Sequence, residues 1–239
     1  AVHAPRVRAG SGGLMRQLTL GVRLTDRAVL ANFLEGDNKL ALAAARSLAL
    51  SPATTGIYLH GTGGSGKSHL LQALCVAVPG AAFLPLGTLA ELGPGVLEGA
   101  AALPLVAIDD LHLVAGDAAW EQALFGLYNE RRGTGIAIAA TGPATRLAIR
   151  LPDLASRLAA LTHFGLRPLD EPQQRQALQL RARSRGFELP DETVVFLQRR
   201  FPRDMGQLAV ILDELDAASL AEQRRVTVPF IRQVLGISD

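Results

Sequence analysis

The chain has 239 residues, 49% of them hydrophobic and 19% charged, enough for one α/β domain with a smaller appendage and a sizeable core. Its 24 basic and 22 acidic residues leave a formal net charge of +2, too balanced to point to nucleic acid as the main partner. Apolar runs are broken by charge, Gly or Pro well before the ~18–20 residues of a membrane span, and the single cysteine, Cys75, cannot form an internal disulfide and fits a reducing cytosol.

Residues 1–14 carry Arg6, Arg8 and the run Gly10-Ser11-Gly12-Gly13 without an apolar pattern, and read as a disordered leader extending to residue 16, with Met15 a candidate natural start. Gln17-Leu18-Thr19-Leu20-Gly21-Val22 follows. On residue chemistry it is either an edge strand packing Leu18 and Leu20 on the core or a linear peptide whose glutamine and leucines dock into a partner's pocket. A turn at Asn32–Asn38 leads into an Ala/Leu-rich helix over about Lys39–Leu48, which Pro52 closes.

Gly61-Thr62-Gly63-Gly64-Ser65-Gly66-Lys67-Ser68 fits the P-loop spacing G-x-x-x-x-G-K-[ST] at every specified position. Glycines let the backbone N–H groups close on an anion, Lys67 reaches the β- and γ-phosphates, and the Ser68 hydroxyl ligates Mg²⁺. The context is the required one, with an apolar strand before it (Gly56–His60) and a buried helix after it, beginning at His69. The phosphate-binding set is therefore Gly61, Thr62, Gly63, Gly64, Ser65, Gly66, Lys67, Ser68 and His69. Cys75 lies on that helix as a small core residue.

A strand at Ala81–Leu86 and a short glycine-containing helix to about Ala101 precede Leu105-Val106-Ala107-Ile108-Asp109-Asp110, a buried strand ending in two carboxylates. Aspartates at the C-terminal tip of a parallel strand stand where α/β sheets bind ligands, and with a P-loop upstream this resembles a Walker B element. Asp109 would hold Mg²⁺ and Asp110 would orient or deprotonate the attacking water. An amphipathic helix over Asp117–Arg132 uses Trp120, Phe125, Leu127 and Tyr128 for the core. Strand Gly135–Ala140 ends at Thr141, which is either a γ-phosphate or water contact or a turn residue. A helix from Pro152 and a strand at Leu161–Leu166 complete the alternation, and from Asp170 the pattern is helical only, over Glu171–Ser184, Asp191–Arg200, Asp204–Glu222 and a last helix opened by Thr227-Val228-Pro229. The expected fold is α/β, a P-loop domain over 25–168 with a five-stranded parallel sheet and a small all-helical lid over 169–239, preceded by the leader (1–16) and the N-terminal peptide (17–24).

The succession Asn32-Phe33, P-loop, Ile108-Asp109-Asp110, Leu151-Pro152-Asp153-Leu154-Ala155-Ser156-Arg157-Leu158 and Gln176–Arg183 resembles the DnaA-related AAA+ family, nearly everything from Gln17 onward being covered. The chain stops after the lid without a helix-turn-helix domain, so within that family it looks like a regulatory inactivator rather than an initiator, with weak or no direct DNA binding. The resemblance implies docking of Gln17-Leu18-Thr19-Leu20 on the polymerase sliding clamp (beta subunit), DnaA as partner, ADP or ATP with Mg²⁺ as cofactors, a cytoplasmic protein with no membrane association, and a homodimer or higher AAA+ oligomer. It also puts Arg157 at the arginine-finger position, acting in trans on the partner's γ-phosphate.

Three positions depart from the family pattern: Gly21 stands in place of a proline, Gly206 in place of the sensor-2 arginine with Arg203 nearby, and Pro143 in place of an aspartate in the sensor-1 turn. A nucleotide switch holding ADP is thus as open as a turnover enzyme. The rival readings are a stand-alone AAA+ ATPase such as a helicase loader, and a nucleotide-locked adaptor that supplies no catalytic group.

Overall fold

A computed structural model describes residues 28–52, 56–131, 134–201 and 205–237. The leader, the Gln17–Leu20 peptide, Gly21 and Arg203 lie outside the described residues.

Helix α1 (Lys39–Leu50) precedes β1 (Gly56–His60), the P-loop and α2 (Lys67–Ala77). Then come β2 (Ala82–Pro85), the single turn α3 (Leu86–Leu89), three 3₁₀ turns, β3 (Leu105–Asp109), α4 (Ala118–Glu130), β4 (Gly135–Ala140), α5 (Pro152–Ala159) and β5 (Thr162–Gly165). The five strands pair in parallel in the order β2-β3-β4-β1-β5. Every C-terminal strand tip therefore opens on one edge, which brings Gly61, Asp109 and Thr141 together although they are far apart in the chain.

Strands β3 and β4 are buried at every residue, as continuous apolar runs between two helical layers must be. Alternation along the pleat sends Ile57, Leu59, Ala107 and Ala137 to the layer of α1 and α2. Tyr58, Val106, Ile108 and Ile138 go to the layer of α4 and α5, where Trp120 and Leu127 join the core and Phe125 and Tyr128 pack against it half-buried. The α4 helix is shorter than its pattern predicts because Asp117 stays outside it as a cap, its Oδ1 accepting the N–H groups of Ala119 at 2.9 Å and Trp120 at 3.1 Å. The glycine-rich stretch before β3 cannot sustain an α-helix and breaks into short turns.

Helices α6 (Glu171–Ser184), α7 (Asp191–Arg200), α8 (Met205–Glu222) and α9 (Val228–Leu235) form the lid around a separate core that includes Leu178, Leu197, Leu208, Leu212 and Phe230. Asp170 and Gln173 close a reciprocal capping box on α6. Thr227 caps α9, with Pro229 in its first turn. Asn38, which is 5% exposed, holds the segment that leads from β5 to the lid; its amide donates to Arg167 O at 2.9 Å and accepts from Arg167 N at 2.8 Å. Among the described residues no helix is long and apolar enough to cross a membrane.

Candidate functional site

The site begins where β1 ends. Gly66 has φ +95° and caps α2, a left-handed conformation that an L side chain rarely adopts. A Cβ at Gly61 would stand 2.5 Å from Leu166 O, so only a glycine lets the loop pass beneath the segment leaving β5. Lys67 is 7% exposed and its Nζ donates to Gly61 O and Thr62 O, each at 2.8 Å, arching back over the loop. Burial lowers its pKa against the opposing charges of Asp109 and Asp110.

Asp109 closes β3 with 3% exposure. Burial raises its pKa and the neighbouring Asp110 adds to the rise, while the Ser68 hydroxyl facing the carboxylate opposes it. Asp110, expected to continue the strand, instead leaves it at φ 57°, a turn that aspartate tolerates better than most residues. Asp110 thereby lines the cleft beside Lys67, Ser68 and Thr141. The Tyr58 hydroxyl donates to Gly142 O at 3.0 Å, which pins the turn that carries Thr141.

This donor set fits the phosphates of a nucleotide with a divalent ion. Backbone N–H groups converge at the start of α2, a buried ammonium has only carbonyl and hydroxyl oxygens as hydrogen-bond partners, and a buried carboxylate faces the Ser68 hydroxyl. A single carboxylate beside a hydroxyl suits Mg²⁺, an ion that keeps waters and phosphate oxygens as its other ligands.

The lid forms the opposite wall of this cleft of about 380 Å³, through Arg181 of α6, Arg185 at its C-terminal cap, and Gly206, Val210 and Asp213 of α8. Arg185, with a side chain 5% exposed, pairs with Asp213. Arg181 Nη2 lies 2.8 Å from His69 Nδ1, and His69 Nε2 lies 3.4 Å from Val29 O. Burial, with the Arg181 charge adding to it, pushes the His69 pKa down to about 3. The ring is therefore neutral, accepts from Arg181 on Nδ1 and donates from Nε2. Asn32 Nδ2 donates to Ser184 Oγ at 3.1 Å, so the segment before α1 also touches the lid.

The structure thus brings the P-loop, Asp109, Asp110 and Thr141 to one place, with Gly206 across from them. Arg157 is not among them. It is exposed near the end of α5, its guanidinium 5.6 Å from the Tyr128 ring. Pro143 starts the 3₁₀ turn after Thr141 and is not part of the cleft wall. Sequence reasoning missed Arg181, Arg185 and Asp213 as cleft residues; the RARSR run of α6 was a signal, but its facing depends on how the lid folds over the sheet.

A parallel sheet with a P-loop after β1, an acidic tip on β3 and a helical lid over the cleft between them defines an AAA+ protein. The family model of the bacterial DnaA ATPase domain matches residues 24–82, and the one described as "Hda, lid domain" matches residues 170–235. The chain belongs to the Hda/DnaA-related AAA+ proteins.

Solved structures share its fold. Domain III of the Thermotoga maritima initiator DnaA is 21% identical at a TM-score of 0.69, over 87% of this chain and 95% of that one. AMPPCP-bound DnaA from Aquifex aeolicus is 18% identical at 0.62, over 80% and 65%. A point mutant of Thermotoga maritima RuvB is 15% identical at 0.60, over 88% and 72%.

Proposed function

We propose that this chain is a negative regulator of replication initiation that holds adenine nucleotide with Mg²⁺, docks on the polymerase sliding clamp through Gln17–Leu20, and presents Arg157 to ATP bound by DnaA. The observation that carries the reading is Arg157 itself: an exposed arginine outside its own nucleotide cleft is available to a neighbouring molecule's. In that role the guanidinium neutralises charge that develops on the transferred γ-phosphoryl group, a contribution worth roughly 10³–10⁵ in rate for arginine fingers.

In the chain's own cleft, Lys67 and the P-loop N–H groups hold the phosphates, and Ser68 and Asp109 hold Mg²⁺. Asp110 and Thr141 orient water. Mg²⁺, when bound, would supply charge neutralisation across the nucleotide's phosphate oxygens. With Gly206 at the lid position where the family pattern has arginine, the cleft acts as a nucleotide-dependent switch more than as a turnover site.

The test is to preload DnaA with labelled ATP, add this chain with DNA-loaded clamp, and follow conversion to ADP. The wild type should stimulate hydrolysis only with the clamp present, and Arg157→Ala should lose that stimulation while still binding nucleotide. Absence of stimulation by the wild type overturns the proposal. Gly206 favours one other reading, a nucleotide-locked adaptor, which would keep its activity in Arg157→Ala and lose it on deletion of residues 17–20.

A further inference from the structure

The lid wall of the cleft carries a cation, Arg181, whose charge Asp213 offsets only in part. Arg185 is matched by Asp213, but among the described residues no carboxylate pairs with Arg181; its one hydrogen-bond partner is the neutral His69 ring. The Arg181 Nε is buried and has no partner. Arg181 is half-buried, a guanidinium partly withdrawn from water is costly to hold without a close anion, and burial is the main cause that depresses its pKa to about 10, with the Asp213 charge opposing the fall. His69 directly follows Ser68 in the first turn of α2, so its contact with Arg181 fixes this cation over the helix end where the P-loop N–H groups converge. A guanidinium has five donors, and His69 uses one.

We propose that Arg181 is a phosphate-binding residue of the nucleotide cleft, contacting the phosphate nearest the first turn of α2 and supplying from α6 a cation that Gly206 of α8 cannot supply. The proposal rests on the reading of the cleft as a nucleotide site. The bound anion completes the counter-charge, and His69 orients the guanidinium toward it. That phosphate belongs to ADP and ATP alike, so Arg181 contributes to holding either nucleotide and does not distinguish the γ-phosphate.

Equilibrium titration with fluorescent ADP and ATP analogues tests this on the wild type, Arg181→Met, Arg181→Lys and Lys67→Ala, with adenosine titrated by NMR. A charge-assisted hydrogen bond removed from a closed site weakens binding by roughly 10- to 100-fold. Arg181→Met should lose affinity for ADP and ATP by the same factor, keep that for adenosine, and be partly rescued in Arg181→Lys. Thermal unfolding without nucleotide checks that the variants are folded, and Arg181→Lys retains the test should Arg181→Met prove unstable.

Wild-type ADP affinity in Arg181→Met, or a loss confined to ATP, overturns the proposal. So does an equal loss for adenosine, which would make Arg181 a latch between lid and sheet. A wild type that binds neither nucleotide, or a Lys67→Ala variant that binds both normally, overturns the nucleotide-site reading together with the proposal. Loss in Lys67→Ala alone leaves that reading standing without the role of Arg181.

Discussion

The Glu121 carboxylate accepts the Leu151 N–H at 2.7 Å, joining the first turn of α4 to the residue that precedes α5. The same carboxylate accepts from Arg150 N at 3.0 Å and Gly116 N at 2.7 Å and is 1% exposed. It thereby ties the turn that follows Asp110 to the start of the helix bearing Arg157. Burial works to raise its pKa, but the three N–H donors and the Arg150 charge outweigh it and hold the carboxyl below the usual range.

A carboxylate depressed in the folded state stabilises fully above its unfolded pKa of about 4.3 and ceases to stabilise as pH falls through the folded value. Glu121→Gln should lower stability by about 1–3 kcal/mol at pH 7, and the difference from the wild type should shrink as pH falls below about 4. Urea denaturation at both pH values measures it; an unchanged difference in acid would mean that the carboxylate charge is not what counts.

Gly61→Ala should impair the P-loop even though the change is one methyl group. The new Cβ would meet a backbone oxygen, Leu166 O, at 2.5 Å, and backbone yields less easily than a side chain. Displacing either segment should destabilise by about 1–3 kcal/mol and abolish high-affinity nucleotide binding, read by fluorescence titration. Retained affinity would show that the loop has room to shift.

Asn38→Ala should loosen the segment that connects β5 to the lid. It removes both bonds to Arg167 and leaves that residue's N–H and C=O without their partner, a cost of about 1–3 kcal/mol. Limited proteolysis near residues 167–170 should accelerate by more than global stability alone predicts. Cleavage at the wild-type rate would assign the junction to other contacts.

Cys75 is buried, and burial pushes its thiol up to about 12. At pH 8 it should therefore resist alkylation in the native protein and react within minutes in denaturant, since the thiolate is the nucleophile. Mass spectrometry of iodoacetamide-treated protein reads this directly. Fast labelling of the native state would mean that α2 opens locally.

The P-loop, the strands and most helix limits were legible because their signals are local. Glycine spacing, unbroken apolar runs at β3 and β4, and the Asp170 cap each act over a few residues. Asp110 was read as strand, because apolar periodicity carries no sign of the φ reversal that follows Asp109. The cleft's far wall was not legible at all: Arg181 and Asp213 are 32 positions apart on helices whose relative facing is set by the packing of Leu178 against Leu208 and Leu212. The facing of Arg157 away from its own cleft likewise depends on where α5 lies against α4.

The strand order has one more consequence. Among the described residues the two edge strands, β2 and β5, are the shortest, with four residues each, and β2 ends in Pro85. Short rims, one finished by a residue that cannot donate to a ladder, discourage edge-to-edge growth of the sheet. Such rims favour contact with a neighbouring molecule through helices and side chains, and contacts of that kind can form and dissolve without any strand changing partners.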